Sequence, residues 1–398
     1  MRCFLGAFGQ PGHAFPMLAL GRELASRGHD VTLETWSRWR SAAEAGGMRF
    51  APAPEYPVFP TRERPLQPYE AVARATTQTR PALAAAEPDV VVHDILTLAP
   101  ALAAELQGVA TATLIPHVYP VGGPGLPPYS MGARPARTRV GRTLWRAFDR
   151  PVRHGLRVGR DQLNDTRRRV GLPPVSRLFG GLSTELVMVA TLPQLEYPRA
   201  WPDHVRVVGP LMWEPACDAA APPPGNAPLV LVATSTAQDP EHRLLRAALA
   251  GLADEPVRVL ATWNGRLPMR PLPVPANARL VEWMSYAATM PRCDLVVCHV
   301  GHGTLVRALS CGRPVLAVPH VGDMAENAAR VSWAGAGLRL PWPLLCAASV
   351  RWAVRRALHL DRLHVRAAEI GAWATAHPGP ARAADLVEDL AARATAAT

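Results

Sequence analysis

Apolar residues in this chain occur in short continuous runs rather than in strict alternation with polar ones. In the first half such runs stand at 3–8, 89–96 and 109–116, and the helix-like segment "APALAAELQG" at 99–108 separates the last two. Strands that are apolar on both faces are typical of a parallel sheet with helices packed on each side. We therefore predict a doubly wound α/β domain for the first half.

The first unit of this domain has recognisable boundaries. Strand Cys3–Phe8 is followed by a glycine-containing loop, a helix predicted from Pro16 to Gly28, and a second strand, "DVTLET", at 30–35. Proline is favoured at the start of a helix and glycine at its end. This order of elements predicts a βαβ unit.

The second half repeats the same architecture after an interruption. Residues 216–228, "ACDAAAPPPGNAP", are rich in proline and alanine and lack periodicity, which is typical of an interdomain linker. The strand candidates that follow are "LVLVATS", "VRVLATW", "ARLVEW", "DLVVCHV" and "PVLAVP". We predict two Rossmann-like domains that face each other across a cleft. The predicted division is an N-terminal domain over 1–215, the linker over 216–228, a C-terminal domain over 229–375 and a closing helix over 376–398.

The composition fits a globular protein of this size but adds a strong positive charge. The 398 residues are 48% hydrophobic and 19% charged, with 43 basic residues, 32 acidic ones and a net charge of +11. Because the chain contains no lysine, a codon bias toward arginine is the plain explanation of the charge. A basic surface nevertheless attracts anionic partners, among them nucleotides, acidic membranes and nucleic acid.

The arginines are densest at 136–170, where the spacing predicts one or two amphipathic helices. This stretch has no interleaved aromatic ladder, so we do not expect nucleic acid as a partner. We expect a solvated helix face here, and contact with a membrane surface is the alternative.

Cysteine usage and the N-terminus indicate the compartment. Six cysteines show no C-x-x-C spacing and several lie in apolar runs, as buried free thiols do in a reducing environment. The apolar N-terminus is broken by Gly, Gln and Pro, and no apolar run reaches the length of about 18 residues that a membrane span needs. We expect a cytoplasmic protein that is neither exported nor membrane-spanning.

The segment "CHVGHGT" at 298–304 lies where an apolar strand gives way to a helix. The N-terminus of a helix exposes unpaired backbone N–H groups and the positive end of the helix dipole, and glycine lets an anion approach them closely. This pattern predicts a phosphate-binding site.

Three motifs in the right order carry a resemblance to a known family. "GHAFP" at 12–16, "PDVVVHD" at 88–94 and the long stretch at 281–331 resemble the GT-B glycosyltransferases of family 1, above all the bacterial natural-product and macrolide-type enzymes. The resemblance implies an inverting, metal-independent transfer of a sugar from a nucleotide sugar to an acceptor hydroxyl. It implies no cofactor beyond the nucleotide sugar itself as co-substrate.

Two residues of the N-terminal half match the family's catalytic pair. His13 stands in the first strand–helix turn, where the family has its base, and an imidazole there can remove the proton of a weakly nucleophilic hydroxyl. Asp94 ends the strand "DVVVHD" and matches the aspartate that orients this base and stabilises its imidazolium. The alternatives are a structural histidine and a helix N-cap. His93 should face the other way, and no third ligand at metal-binding spacing accompanies the pair, so we predict no metal site.

The resemblance also implies a donor site in the second half. His299, Gly301, Gly303 and Thr304 match the diphosphate-binding stretch. The other matching positions are Ser235 and Thr236 for phosphate contacts, Trp283 for stacking on the base, Met284 and Ser285 for backbone contacts to the base edge, and Asp323 with Met324 for the sugar. A core tryptophan is the alternative for Trp283.

Two departures from the family pattern concern the donor. Arg307 stands where many members have a glutamate that binds ribose hydroxyls, and Met324 stands where they have glutamine. Both changes remove polar contacts, so a donor with fewer hydroxyl groups leaves fewer groups unsatisfied. We therefore favour a dTDP-deoxysugar over a UDP-sugar.

The acceptor is not identified by the sequence. The proline-rich loops at 54–70 and 117–132 are typical of a variable apolar pocket, so we expect a small hydrophobic natural product. Two other functions are left open: a lipid-directed glycosyltransferase that uses 136–170 at a membrane surface, and a non-catalytic nucleotide-sugar-binding protein. A homodimer is also left open.

Overall fold

The computed structural model describes residues 1–55, 70–235 and 238–397. Thr236 and most of the predicted acceptor loop at 54–70 lie outside these residues. Two parallel sheets, each covered by helices, organise the described part of the chain. The predicted α/β architecture is therefore confirmed.

The N-terminal sheet has the strand order β3-β2-β1-β4-β5-β6-β7. Its strands are β1 (Arg2–Gly6), β2 (Asp30–Thr35), β3 (Arg49–Pro52), β4 (Val90–Asp94), β5 (Ala110–Ile115), β6 (Leu186–Val189) and β7 (Val205–Val207). The helices of this part are α1 (Pro11–Ser26), α2 (Arg40–Glu44), α3 (Glu70–Ala86), α4 (Ala99–Gln107), α5 (Arg139–Ala147) and α6 (Asp149–Arg169). The second strand and the helix after β4 lie where the hydrophobic pattern predicted them.

The C-terminal sheet has the strand order β10-β9-β8-β11-β12-β13. Its strands are β8 (Leu229–Ala233), β9 (Arg258–Thr262), β10 (Ala278–Val281), β11 (Leu295–Cys298), β12 (Val315–Ala317) and β13 (Gly337–Arg339). The helices are α7 (Arg243–Leu252), α8 (Tyr286–Thr289), α9 (His302–Ser310), α10 (Met324–Trp333), α11 (Ala347–Leu358), α12 (Asp361–Ala376) and α13 (Gly379–Ala397). Each of the five quoted apolar runs contains a strand.

Both sheets reverse their strand order at one point, and this places the candidate site. The reversal lies between β1 and β4 in the N-terminal sheet and between β8 and β11 in the C-terminal sheet. In open parallel sheets, ligands bind beyond the carboxyl ends of the strands at such a switch point. His13 follows β1, and Asp94 is the last residue of β4. Ser235 follows β8, and His299 follows β11.

The start of α1 corrects one prediction. The helix begins at Pro11, so the predicted start at Pro16 is wrong by more than one turn. Pro11 occupies the first turn, where a missing N–H costs nothing, whereas Pro16 lies inside the helix and cannot donate to the carbonyl of Gly12. As a result His13 belongs to the first turn of a helix rather than to a loop.

The arginine-rich stretch forms helices α5 and α6, as predicted, but leaves apolar side chains in solvent. Val140 and Leu144 on α5 are 72% and 63% exposed, and Phe148 and Val152 continue the row at 40% and 38%. Val140 and Leu144 lie four positions apart and share one face of α5, whereas Phe148 lies between α5 and α6 and Val152 lies in the first turn of α6. The face is thus apolar as well as solvated.

The two domains are joined by more than the linker. Helix α13 returns to the N-terminal domain, where Val387 and Leu390 belong to the same core as Met17 of α1. Between the domains, Arg330 of α10 donates to Glu196 at 2.9 Å and to Glu326 at 2.8 Å, and all three side chains are buried. A buried charge needs such partners to offset its lost hydration.

None of the helices in the part of the chain that the structure describes combines the length and the apolar character needed to cross a bilayer. The cysteines of this part carry free thiols, and Cys3, Cys293 and Cys298 are buried as predicted.

Candidate active site

A cavity of about 230 Å³ opens between the carboxyl ends of the two sheets. Its N-terminal wall includes Pro11 and Gly12 from the first turn of α1, and its C-terminal wall includes the turn from β11 into α9. The connecting segment, which we define as residues 208–228 between β7 and β8, contributes Trp213 and Glu214. The cavity therefore lies at both switch points at once.

His13 and Asp94 form a hydrogen-bonded pair at the N-terminal switch point. Nδ1 of His13 lies 2.8 Å from Oδ1 of Asp94, and the Asp94 side chain is fully buried. Backbone N–H groups of Phe8 and Leu96 donate to the same carboxylate at 2.7 and 2.9 Å, and the Thr97 hydroxyl donates at 3.2 Å. Asp94 is thus fixed by the loop after β1 and by the start of the turn after β4.

The pair has the electrostatics of a base and its orienting group. Burial lowers the pKa of His13. The charge of Asp94 and the hydrogen bond to Asp94 raise this pKa by more than burial lowers it, so the pKa lies above the ordinary histidine value. Burial raises the pKa of Asp94, yet His13 and the donors from Leu96 and Phe8 bring it below the ordinary value. An ionised carboxylate only accepts hydrogen bonds, so Nδ1 carries the hydrogen and Nε2 keeps its lone pair.

Two further histidines lie near this pair. His93 turns away, as predicted: Thr113 bonds to its Nε2 at 2.8 Å, and burial lowers its pKa to about 4. His117 follows β5, donates from Nδ1 to the Val118 carbonyl at 2.8 Å and stacks on Tyr129. Burial lowers the pKa of His117, and the charge of His13 lowers it as well.

The N-terminus of α9 forms the opposite wall. Gly301 is the N-cap of α9, so no N-cap side chain accepts a hydrogen bond from the backbone N–H groups of the first turn. This turn contains no acidic residue. A Cβ built on Gly301 or Gly303 would meet no atom within 4 Å, so open space lies next to these backbone N–H groups. Thr304 also lines the cavity. The residues predicted to bind the diphosphate thus lie together at an uncapped helix N-terminus, and their contact with phosphate stays a prediction.

The residues around this turn are held tightly. Val300 has φ of 55°, a left-handed conformation that a β-branched residue rarely adopts. Its carbonyl accepts a hydrogen bond from Asn327 at 2.9 Å. His302 is buried, and burial lowers its pKa to about 3, so it is neutral.

His299 lines the cavity, but both of its ring nitrogens already have partners in the protein. The backbone N–H of Ser235 donates to Nδ1 at 3.1 Å, and Nε2 lies 3.2 Å from Oδ2 of Asp239. Because Nδ1 accepts, Nε2 must carry the hydrogen and donate to the carboxylate. His299 therefore ties the loop after β8 to β11, and its predicted contact with phosphate stays a prediction.

Of the two residues predicted to contact phosphate in that loop, one lies inside the described part of the chain and one lies outside it. Ser235 lines the cavity, and its hydroxyl accepts a hydrogen bond from the Gln238 backbone at 3.0 Å. Thr236 lies outside the described residues.

Of the three predicted base-binding residues, Trp283 and Met284 line the cavity, and Ser285 follows them in the chain. Trp283 is 39% exposed and lines the wall, which leaves its ring face available for stacking. Met284 lines the same wall with only 3% of its surface exposed. Ser285 is the N-cap of α8, and its own backbone N–H donates to the carbonyl of Asp218 at 3.2 Å.

The residues predicted to contact the sugar lie at the start of α10. Asp323 precedes the helix and accepts from Asn327 at 3.4 Å, and its charge raises the pKa of His13 from across the cleft. Met324 is buried in the core of the C-terminal domain. Asp323 thus acts electrostatically on His13, and the predicted sugar contacts of both Asp323 and Met324 stay predictions.

Several candidate functional residues were missed by the sequence reasoning. Glu214 lines the cavity from the connecting segment, and Asn264 lines it after β9 with φ of 51°. His117 and Asp239 lie against predicted site residues without being predicted themselves. The Asn-Gly pair at 264–265 is the sequence signal that could have indicated Asn264, but the others depend on contacts between distant segments. No group of three or more His, Cys, Asp or Glu side chains suited to a metal ion occurs among the described residues.

Comparisons with known proteins agree with this geometry. Residues 243–390 match the family described as "Erythromycin biosynthesis protein CIII-like, C-terminal domain". The chain is similar to 4'-demethylrebeccamycin synthase of Lentzea aerocolonigenes, with 31% identity over 415 aligned residues that cover 95% of this chain and 97% of that protein.

Solved structures show the same likeness over the whole chain. The calicheamicin glycosyltransferase CalG4 superposes with a TM-score of 0.76 at 25% identity and covers 99% of both chains. The glycosyltransferase VinC, solved in complex with dTDP, superposes with a TM-score of 0.73 at 21% identity and covers 99% of this chain and 100% of its own. The arrangement of the two domains is the GT-B fold.

Proposed function

The chain belongs to the natural-product glycosyltransferases with an EryCIII-like C-terminal domain, and from this premise we propose an inverting, metal-independent reaction. The enzyme moves a sugar from a dTDP-deoxysugar to a hydroxyl group of a small apolar acceptor. The observation that carries the proposal is the His13–Asp94 pair. His13 lies in the first turn of α1, and its neighbours Pro11 and Gly12 line the same cavity as the uncapped, glycine-containing N-terminus of α9.

The base side of the mechanism follows from the tautomer of His13. Its Nε2 takes the proton of the acceptor hydroxyl while the oxygen attacks the anomeric carbon. The C–O bond to the acceptor forms as the C–O bond to the diphosphate breaks on the opposite face, so the configuration inverts. Asp94 holds the ring through Nδ1 and stabilises the imidazolium that results.

The leaving side of the mechanism needs positive charge, because negative charge grows on the departing nucleoside diphosphate. The open backbone N–H groups at the start of α9 and the helix dipole supply it at Gly301, Gly303 and Thr304. In this proposal Asp323, whose charge acts on His13, accepts hydrogen bonds from the sugar. This arrangement supports a reaction without a divalent cation.

The preference for dTDP rests on fewer hydroxyl contacts. Met324 is apolar and buried where related enzymes have glutamine, so it offers no hydrogen bond to a sugar hydroxyl. The neighbour VinC was solved with dTDP, which supports the same choice.

A nucleotide screen followed by turnover tests the proposal. We expect dTDP to raise the melting temperature more than UDP does, because stabilisation follows ligand concentration divided by Kd. Turnover with aromatic and polyketide acceptors should persist in EDTA, and proton NMR should show opposite anomeric configurations in donor and product. Stabilisation by NAD alone would refute the glycosyltransferase site, and binding of dTDP without any turnover would indicate a non-catalytic protein.

The exposed apolar row on α5 favours a second candidate, a lipid-directed enzyme at an anionic membrane. Val140 and Leu144 stand on a helix whose other faces carry arginine, and such helices bind anionic bilayers. The protein should then float with vesicles that contain phosphatidylglycerol and not with pure phosphatidylcholine. Leu144→Asp should abolish flotation, and an unbound wild-type protein would remove this candidate.

A further inference from the structure

The segment that connects the two domains forms a wall of the donor cavity. Leu211, Met212, Trp213 and Glu214 all line it. The Trp213 ring packs edge-on against Phe15 of the N-terminal domain at a centroid distance of 4.9 Å. A residue on this segment is thus anchored to one domain while it faces the ligand site of the other.

Glu214 is held in the cavity by three groups of the C-terminal domain. Its Oε1 accepts from the Ser285 hydroxyl at 2.5 Å and from the backbone N–H of Ala287 at 3.1 Å. Its Oε2 lies 3.7 Å from Nη1 of Arg307, and Nη2 of the same guanidinium donates to the Trp213 carbonyl at 3.1 Å. Arg307 therefore fixes both the carboxylate and the backbone of the segment.

The position of this carboxylate within the cavity determines what it can bind. The predicted diphosphate site lies at the first turn of α9, and Arg307 lies in the second turn of the same helix. A carboxylate at the first turn would repel phosphate, but Glu214 lies next to Ser285, two residues after the exposed ring of Trp283. This is the nucleoside end, where a carboxylate oxygen accepts a hydrogen bond from a sugar hydroxyl.

We propose that Glu214 accepts a hydrogen bond from the 3′-hydroxyl of the donor nucleoside and that Arg307 is the residue that positions it. The inference rests on the proposed nucleotide-sugar donor. Oε2 makes only a long contact with Arg307 and is the oxygen left for the ligand. The departure at position 307 therefore does not remove a carboxylate from the site, because the connecting segment supplies one.

The inference is tested by the affinity of two nucleotides that differ only in this hydroxyl. Calorimetry on the full-length protein compares dTDP with its 3′-deoxy analogue. Wild type should prefer dTDP by about 10-fold or more, as expected for a hydrogen bond to a charged group. Glu214→Ala and Arg307→Met should lower the affinity for dTDP and leave the affinity for the 3′-deoxy analogue almost unchanged. The preference for dTDP should therefore fall to about 1–3-fold.

A matched control separates this role from a structural one. Asp218→Asn changes an exposed carboxylate on the same segment and should keep the wild-type preference. The inference would be overturned if Glu214→Ala lost the same factor in affinity for both nucleotides. It would also be overturned if the wild-type protein bound the two nucleotides equally. If wild type binds UDP and not dTDP, the proposed donor is wrong, and UDP with 3′-deoxy-UDP then gives the same test of Glu214.

Discussion

Replacing Asp94 by asparagine tests the catalytic pair most directly, because the change is nearly isosteric and removes one charge. The lost interaction is a charge-assisted hydrogen bond of 2.8 Å on a fully buried carboxylate. Such bonds contribute about 1.5–3 kcal/mol, which corresponds to a loss of roughly 10–150-fold in kcat. His13→Ala removes the base itself and should cost about 10²–10⁴-fold.

The pH dependence gives the pair a second signature. A histidine base acts in its neutral form, so kcat/KM of the wild type should rise with pH through the raised pKa of His13. In Asp94→Asn the charge that opposes the effect of burial is gone, so the pKa of His13 falls. The acidic limb of the profile should therefore move to lower pH while the plateau drops.

The assay is initial-rate kinetics with a dTDP-sugar and an alcohol acceptor, with calorimetry to confirm that dTDP affinity is unchanged. Thr97→Val is the matched control, because it removes one donor to Asp94 at 3.2 Å without touching His13. The double variant of His13 and Asp94 should be hardly slower than His13→Ala, since both act through one imidazole. Multiplicative losses, or an acidic limb that does not move in Asp94→Asn, would refute this assignment.

Four other substitutions have expected outcomes. His299→Ala should weaken dTDP binding by about 10-fold and leave thymidine almost unaffected by calorimetry, because it removes the hydrogen bond that holds the loop of Ser235 at the predicted phosphate site; equal losses of affinity would indicate a misplaced phosphate site. Gly303→Ala should keep the melting temperature, because its Cβ meets no protein atom, but should lower dTDP affinity measurably by filling the cradle. Arg330→Met should lower the free energy of unfolding by about 3–5 kcal/mol in urea, since it leaves Glu196 and Glu326 unpaired. Burial raises the pKa of Glu34 to about 7, so the folded protein binds the proton of this carboxyl more tightly than the unfolded chain does, and stability is lost as pH rises from about 5 to 8. Glu34→Gln should therefore have a free energy of unfolding about 3 kcal/mol above that of wild type at pH 8 and equal to it at pH 4.

The hydrophobic pattern was sufficient for most of the fold. Strands such as Val90–Asp94 and Leu229–Ala233 are buried along their whole length, and burial on both faces leaves a continuous apolar run in the sequence. The start of α1 was mispredicted because Pro11 and Pro16 both suit a first turn. Only the packing of α1 against the sheet distinguishes them.

The candidate site could be predicted only where a motif is local. His13, Asp94 and the turn into α9 stand at strand ends that the pattern identifies. Glu214 and Asp239 gain their roles from partners on other segments, at Ser285 and His299 respectively. The sequence around Glu214 and Asp239 does not indicate these partners, because the contacts form only when separate segments pack together.

Helix α13 has a consequence for how the protein is made. It completes the core around α1, and Arg27 next to α1 pairs with Asp385 on α13 across 358 positions of the chain. Domains usually fold in the order in which the ribosome releases them. Here the N-terminal sheet keeps an uncovered apolar surface until the whole C-terminal domain has been synthesised, so the domain made first is the one that finishes folding last. We therefore expect the expression of the protein to be more sensitive to the supply of chaperones than its final stability suggests.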